Sequence, residues 1–569
     1  MGLNLSANWQ DDYEVAEGFH LEIDSTGFHL PTAIQFVPDP GTTPKSPLYF
    51  VTEIRGAIKV VCQDRSVHTF ADDFFTLVPL KELPEEPGEI GMAGLCLYPK
   101  NGYVFVSYAY EDDNGIYRNG LSRFQSDPQV FGLIPESRTE LLPLLKNYLS
   151  SISHQIGPLA IHDDLLYVSV GDGEVSQDAR NLDSPRGKIL RMTLDGLPAP
   201  GNPHAVDSNP DNIRNYIWAS GFRNPFSLKI VDGEVFVADN GPKHDRFVKV
   251  VAGDDFLYDG SDESIAINPL YLWNPAVSPV QMDYDSVQLS KLGFPEVWQD
   301  SFLITLSGTP VAPPGRSDRG AKSVIALGFD FESGKVSRPP KPLLNYKGPG
   351  SQMPVGLTIG PDGLYIVPIF PDTAGNSSIL KLTYAPEKNE SHVINELDPG
   401  FLIMKYSCHA CHIIDGKGYG YTGPEIKRPV LGETLWDKLH SQTYEEQSLH
   451  VDSLLSEPYL SHASTRREIR DTKGKEKVRT WLINRLMEPR FDQQVIAMPN
   501  LQISEEEATV LSDWLLLDYL SANPLSRMKG RVKEILPSPS YTNLVLMLMA
   551  GAVLGGLTTV ASVYLLRKR

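Results

Sequence analysis

Cysteine is scarce in this chain, with four residues in 569. That excludes an architecture stapled together by disulfides. Two of the four, Cys408 and Cys411, share one motif. Cys62 and Cys96 lie singly in apolar, strand-like runs, where they read as buried thiols or, in an oxidising compartment, as one disulfide. Basic charge is also in deficit. Lys and Arg number 51 against 71 Asp and Glu, for a formal net charge of −20, so nucleic acid is excluded as a partner because phosphate binding needs a basic surface. Met1–Trp9 carries neither a basic segment nor an apolar one, so no signal peptide is visible there. Helical periodicity is missing from 13 to about 385.

What fills that region is turn chemistry. The chain has 46 Gly and 45 Pro, and β-branched or aromatic runs such as "SPLYFVTEIRGAIKVV", "NGYVFVSYAY", "DDLLYVSVGDG" and "GEVFVADNGP" each close on Gly, Asp, Asn or Pro. A strand ending beside a turn, repeated many times, fits a β-propeller; an array of β-sandwiches is the alternative that periodicity leaves open. Residues 386–398 are polar and read as a linker. Composition then shifts. Leu482–Leu486 and Glu505–Leu520 have helical spacing, and Ser504 is placed to cap a helix that opens on three acidic residues, which suits the helix dipole. A mostly helical domain is expected over 399–522, then a juxtamembrane stretch over 523–540. Ile535–Leu566 contains no charge, and a transmembrane helix is expected over 541–566. Basic residues flank it on both sides, so charge alone does not orient it.

Cys408-His409-Ala410-Cys411-His412 has the spacing of a c-type haem attachment site. Two thiols reach the two vinyl groups of one porphyrin edge, and the adjacent His412 turns its imidazole onto the iron. The surrounding "DPGFLIMKYSCHACHIIDGKGYGYTGPEI" resembles the class I cytochromes c, and "AMPNLQISEEEATVLSDWLLLDYL" resembles their axial-methionine loop and last helix. The resemblance implies one covalent haem c, His412 and Met498 as iron ligands, and the Gly423–Pro424 carbonyl as acceptor for the proximal imidazole. Met487, His440, His450 and His462 are the rival ligands. A His/Met pair suits electron transfer. Haem attachment takes place outside the bacterial cytoplasm in this family, which implies a periplasmic protein with Arg567–Arg569 inside. The charged segment 452–481 fits no minimal cytochrome.

The first domain, 13–385, resembles the glucose/sorbosone dehydrogenases, six-bladed propellers that use pyrroloquinoline quinone (PQQ) and calcium. "GEIGMAGLCLYP", "HQIGPLAIHDDLLYVSVGDG", "SPRGKILRMTLDG", "IWASGFRNPFSLKI" and "VFVADNGPKHDRF" carry the resemblance in order. It implies His154 as the base that takes a proton from a sugar hydroxyl, Asp172 as its orienting partner, and Arg223 with Asn224 against the quinone oxygens. It implies Glu89 as a cofactor contact and the Gly241 and Pro242 carbonyls as calcium ligands. The blander reading makes Gly171–Gly173 an ordinary turn and has Arg223 bind backbone carbonyls. Met353 stands where the family usually has Arg; Arg316, Arg319 or Lys322 are the candidates to compensate. The expectation is a membrane-anchored quinohaemoprotein dehydrogenase that oxidises a sugar or related alcohol or aldehyde. Its electrons go through the haem to a respiratory cytochrome or oxidase. The rival is a propeller without cofactor, acting as docking platform for a membrane-bound cytochrome subunit.

Overall fold

The computed structural model describes residues 9–75, 89–308, 322–372, 374–388, 392–418, 420 and 422–521. The chain forms two compact units, Met1–Glu425 and Ile426–Arg569.

The first unit holds six antiparallel sheets. Their innermost strands are Pro31–Phe36, Met92–Tyr98, Ile156–His162, Pro225–Val231, Pro279–Asp283 and Pro354–Ile359. Each of these packs against the next, and the last returns to the first. The result is a closed six-bladed β-propeller, and the sandwich alternative falls away. Closure comes from the N-terminus: Phe19–Thr26 is the outermost strand of blade six, paired with Ser378–Tyr384. Tyr13–Val15 adds a fifth strand to blade five by pairing with Leu344–Tyr346. Closing the ring this way pairs the last blade with the start of the chain and leaves no open seam.

The strands form where the sequence alternates. In blade three, Leu166, Val168 and Val170 are fully buried, and on the neighbouring strand so are Leu190 and Met192. These apolar faces fill the space between adjacent blades. The polar stretch before the helical region continues along blade five. Val15 N–H donates to the His392 carbonyl, Ile394 N–H to Val15, and Lys341 pairs with Glu396 at 2.9 Å. Cys62 and Cys96 are free thiols, not a disulfide.

The first unit also contains the helix Pro399–Lys405 and the 3-10 turn Cys408–Ala410. The second unit is helical: Arg428–Leu439, Gln442–Asp452, Ala463–Asp471, Gly474–Met487, Glu505–Leu515 and Leu517–Ser521. Ser504 caps the helix as expected, and Glu507 adds a reciprocal bond to the cap that was not anticipated. The charged segment that fitted no minimal cytochrome forms helices around Arg466. That side chain is buried and spends its donors on Asp452 Oδ1 and the carbonyls of Phe491 and Tyr459, all within 2.8 Å. Gly432 lets Tyr519 approach; a Cβ there would stand 2.0 Å from the ring. Among the described residues no helix is long and apolar enough to cross a membrane. The stretches 523–540 and 541–566 lie outside the described residues.

Candidate functional site

Residues that immediately precede inner strands of the propeller lie at one end of its central channel. Glu89 precedes blade two, His154 blade three, Arg223 and Asn224 blade four, and Met353 blade six. Three of these positions are tied together through one carboxylate. Glu89 Oε2 accepts the His154 backbone N–H at 2.8 Å, and Asn224 Nδ2 donates to Glu89 Oε1 at 3.2 Å. Glu89 therefore braces blades two, three and four at the channel mouth.

His154 Nδ1 faces Asp172 Oδ1 at 2.7 Å, with the two side chains 11% and 3% exposed. Asp172 Oδ1 also accepts the Glu174 N–H at 3.0 Å, which fixes the carboxylate. The contact commits one ring nitrogen and leaves Nε2 for other chemistry. His154 is held in the left-handed region, at φ 53°, a conformation that costs about 1–3 kcal/mol in a residue other than glycine. The turn Gly171–Gly173 holds it there. Gly173 N–H donates to the His154 carbonyl, and a Cβ on Gly171 would lie 2.5 Å from that oxygen. The glycine turn is therefore what lets the backbone at His154 come close.

Arg223 uses one guanidinium N–H on the Asn240 carbonyl at 2.7 Å, and burial pushes the Tyr258 phenol up against the opposing pull of the Arg223 charge. The blander reading of Arg223 as a binder of backbone carbonyls is thus present in part; a guanidinium has five donors. Beneath this loop lies a pair that the sequence reading missed. Asp239 Oδ1 accepts the Asn224 and Arg223 N–H groups at 2.7 and 3.1 Å, and Asp239 Oδ2 meets Arg246 Nη2 at 2.8 Å. Both side chains are fully buried, and Arg246 also holds the Gly221, Phe256 and Ser264 carbonyls. They sit opposite each other in the ladder of blade four, so two opposite charges flanking a tight turn in otherwise apolar strands were the available signal.

Gly241 N–H donates to Asp245 Oδ1 at 2.9 Å, and Asp245 Oδ2 takes the Val277 and Ser278 N–H groups. Burial pushes the Asp245 carboxyl up to about 6 against those three bonds. Asn224 Oδ1 and Asn240 Oδ1, whose backbones are joined by a 2.9 Å hydrogen bond, are buried without a partner. Buried acceptors ordinarily find one. Two such oxygens beside Arg223 and the Gly241–Pro242 turn fit a polar cofactor or a hard, oxygen-seeking cation. No group of three His, Cys, Asp or Glu side chains converges among the described residues, so a cation here would rest on carbonyl oxygens. Lys322 lies over the Tyr346 ring; Arg316 and Arg319 lie outside the described residues.

At the second motif His412 Nδ1 contacts the Pro424 carbonyl at 2.9 Å. A Cβ on Gly423 would stand 2.4 Å from the imidazole, so only glycine lets the ring lie there. Nε2 is left for a metal, as in an oriented metal-ligating histidine. Cys408 O accepts the His412 N–H at 2.9 Å, so the motif turns as one short coil. These residues fit a covalently held haem. Met498 lies in the second unit, partly exposed, in the loop before Ser504. Of its rivals, His440 and His462 each direct Nδ1 to a carbonyl four residues earlier, at 2.8 and 2.9 Å.

Fold and site together define a six-bladed propeller with a carboxylate-oriented histidine at its channel mouth. Residues 28–307 match the family model "Glucose / Sorbosone dehydrogenase". The match includes every residue of the channel-mouth network from Glu89 to Asp245 and ends before Met353. Among solved structures the chain is similar to a Thermus thermophilus oxidoreductase described as a glucose dehydrogenase (23% identity, 64% of this chain, 99% of that one, TM-score 0.46). It is also similar to the PQQ-bound aldose sugar dehydrogenase of Streptomyces coelicolor (18%, 65%, 99%, 0.46) and to the soluble aldose sugar dehydrogenase of Escherichia coli (18%, 64%, 99%, 0.48). No curated protein matches the sequence.

Proposed function

We propose that the protein is an exported, membrane-anchored quinohaemoprotein dehydrogenase that oxidises a sugar or a related alcohol or aldehyde. The observation that carries this reading is the His154–Asp172 pair, pre-oriented at 2.7 Å beside Glu89, Asn224 and Arg223. PQQ, when bound, supplies the two-electron acceptor, and Arg223, Asn224 and Asn240 would hold it, with calcium on the Gly241 and Pro242 carbonyls. His154 Nε2 takes the proton of the substrate hydroxyl. Asp172 keeps the ring in the tautomer that accepts it and stabilises the imidazolium that forms. Glu89 acts through backbone and amide contacts, holding His154 and Asn224 in place. A covalent haem c, when attached, supplies a one-electron carrier; Cys408 and Cys411 would hold its porphyrin, with His412 and Met498 on the iron.

The test is direct. Full-length protein given PQQ and calcium is expected to reduce its own haem when aldoses are added, seen as the ferrous spectrum. No reduction with any aldose, alcohol or aldehyde, together with no PQQ uptake, would favour the rival docking-platform reading. Met353, standing where the resembling family has Arg, is the feature that favours that rival.

Two outcomes concern the haem and the anchor. Met498→Ala is expected to leave haem attached while removing the weak sulfur-to-iron band of His/Met ligation, checked in the ferric absorption spectrum. An unchanged band would move the ligand to Met487 or a histidine. Removing residues 541–569 is expected to release a haem-loaded protein into the soluble fraction. Sedimentation of the shortened chain with membranes would place the anchor elsewhere.

A further inference from the structure

Asp239 and Arg246 lie beneath the channel-mouth loop of blade four, and neither side chain is exposed. Arg246 directs Nε and Nη2 to Asp239 Oδ2 at 3.1 and 2.8 Å. Nη2 also reaches the Gly221 carbonyl at 3.2 Å, and Nη1 reaches the Phe256 and Ser264 carbonyls at 3.0 and 3.2 Å. Those contacts engage every donor of a guanidinium, so Arg246 has none left for a bound molecule. Asp239 Oδ1 takes the backbone N–H groups of Asn224 at 2.7 Å and Arg223 at 3.1 Å. The carbonyls of the same two residues are held as well. Arg223 O accepts the Asp172 N–H at 2.7 Å, and Asn224 O accepts the Asn240 N–H at 2.9 Å. Asp172 in turn faces His154 Nδ1. One chain of hydrogen bonds therefore runs from Arg246 through Asp239 and the Arg223 backbone to the carboxylate that orients His154. A branch leaves at Asn224, whose side-chain amide donates to Glu89.

Stability alone does not call for such a pair. Two buried charges lose their hydration, and well-packed apolar residues of similar volume are often as stable or more so. What apolar residues cannot supply is an acceptor that fixes two adjacent N–H groups. We infer that Asp239 and Arg246 are a positioning pair for the channel-mouth site. The inference rests on the dehydrogenase reading above. Arg246 holds the Asp239 carboxylate at one angle, and Asp239 fixes the Arg223–Asn224 backbone. That single placement sets the Arg223 and Asn224 side chains toward the cofactor and Asp172 toward His154. Neither member of the pair reaches substrate or cofactor itself, because both are enclosed and fully bonded. A remote brace still has a long lever, since a misplacement of about 1 Å at a reacting centre can cost about 10²-fold in rate.

The experiment compares three variants of the full-length protein with wild type. In Asp239→Asn the one remaining oxygen is drawn to the Arg246 charge, because charge-assisted bonds are the stronger. The new amide then turns its own N–H toward the Arg223 and Asn224 N–H groups. Asp239→Asn with Arg246→Gln removes that charge and lets the oxygen return to the loop. Asp239→Leu with Arg246→Met removes every bond while filling the space. Three quantities are read: PQQ affinity by titration, kcat and KM for aldose-dependent dye reduction by PQQ-loaded protein, and a proton resonance measured without cofactor. That resonance is the far-downfield signal of the His154 Nδ1 proton on Asp172, identified by its absence from His154→Asn. Asp239→Asn and the Leu/Met pair are expected to lower kcat by about 10–100-fold, weaken PQQ binding by about tenfold and leave KM within about twofold. Both should shift or broaden the downfield proton. The Asn/Gln pair is expected to recover most of each loss. A pair that only staples blade four predicts a lower Tm and wild-type values for everything else. Wild-type kcat, PQQ affinity and proton signal in Asp239→Asn would overturn the assignment. If that variant does not fold, as judged by thermal unfolding, the same result in the Leu/Met pair would overturn it. An Asn/Gln pair no better than Asp239→Asn would do so too. A wild type that neither takes up PQQ nor oxidises an aldose counts instead against the dehydrogenase reading, and the proton signal then decides by itself whether the pair positions Asp172.

Discussion

Replacing His154 by Ala is expected to lower turnover by about 10²–10⁴-fold, the usual worth of a positioned general base. Binding of PQQ should change far less, because the imidazole acts on substrate. The measurement is aldose-dependent dye reduction together with a PQQ titration of the same preparation. A structural alternative has to be separated from this, since His154 sits at φ 53° under the Gly171–Gly173 turn. His154→Asn is the control: Asn tolerates the left-handed region better than other non-glycine residues, so it keeps the backbone while removing the base. If His154→Asn were as active as wild type, the pair with Asp172 would be a blade-turn brace and the catalytic assignment would fail. Arg223→Ala should harm both turnover and cofactor affinity. That variant is less clean, because its side chain also holds the Asn240 carbonyl.

Changing Cys408 and Cys411 together to Ala is expected to abolish covalent haem outright, read as loss of haem stain on a denaturing gel and of the protein's visible spectrum. Each single variant should leave one thioether and a shifted ferrous band. Gly423→Ala is a milder probe of the same site. Its new methyl would fall 2.4 Å from the His412 ring, so the imidazole must tilt and loosen its contact with the Pro424 carbonyl. Retention of covalent haem by the double variant would mean that attachment uses neither thiol and would remove the motif from the reading altogether.

Much of the propeller was legible because its strands alternate and end on turn residues, each a local property. Six inner strands closing into a ring is not local. It depends on Phe19–Thr26 meeting Ser378–Tyr384, which no window of sequence contains. At the channel mouth His154 and Asp172 were singled out by the family resemblance, while their residues alone left an ordinary blade turn as open a reading. Asp239 and Arg246 were not singled out, because each charge looks like an ordinary turn or edge residue until the hairpin folds them together. The segment 452–481 was opaque for a related reason. Its helices bury Arg466 against Asp452, so a charged side chain occupies a position where the eye looks for Leu or Val. Glu89 was expected only as a cofactor contact; its bonds to His154 and Asn224 make it a brace between blades.

The closing strand also sets an order of events in biogenesis. Phe19–Thr26 leaves the ribosome early and its partner Ser378–Tyr384 late. At elongation rates of about 5–20 residues per second, the roughly 350 residues between them take about 20–70 s to appear. Throughout that interval blade six cannot form and the ring stays open, with its first strand unpaired. A chain in that condition is slow to commit to a compact state, and it exposes a sticky strand edge until the partner arrives. The Cys408–His412 motif follows the strand Ser378–Tyr384 by about 24 residues. Ring closure and the emergence of Cys408–His412 thus come at nearly the same moment.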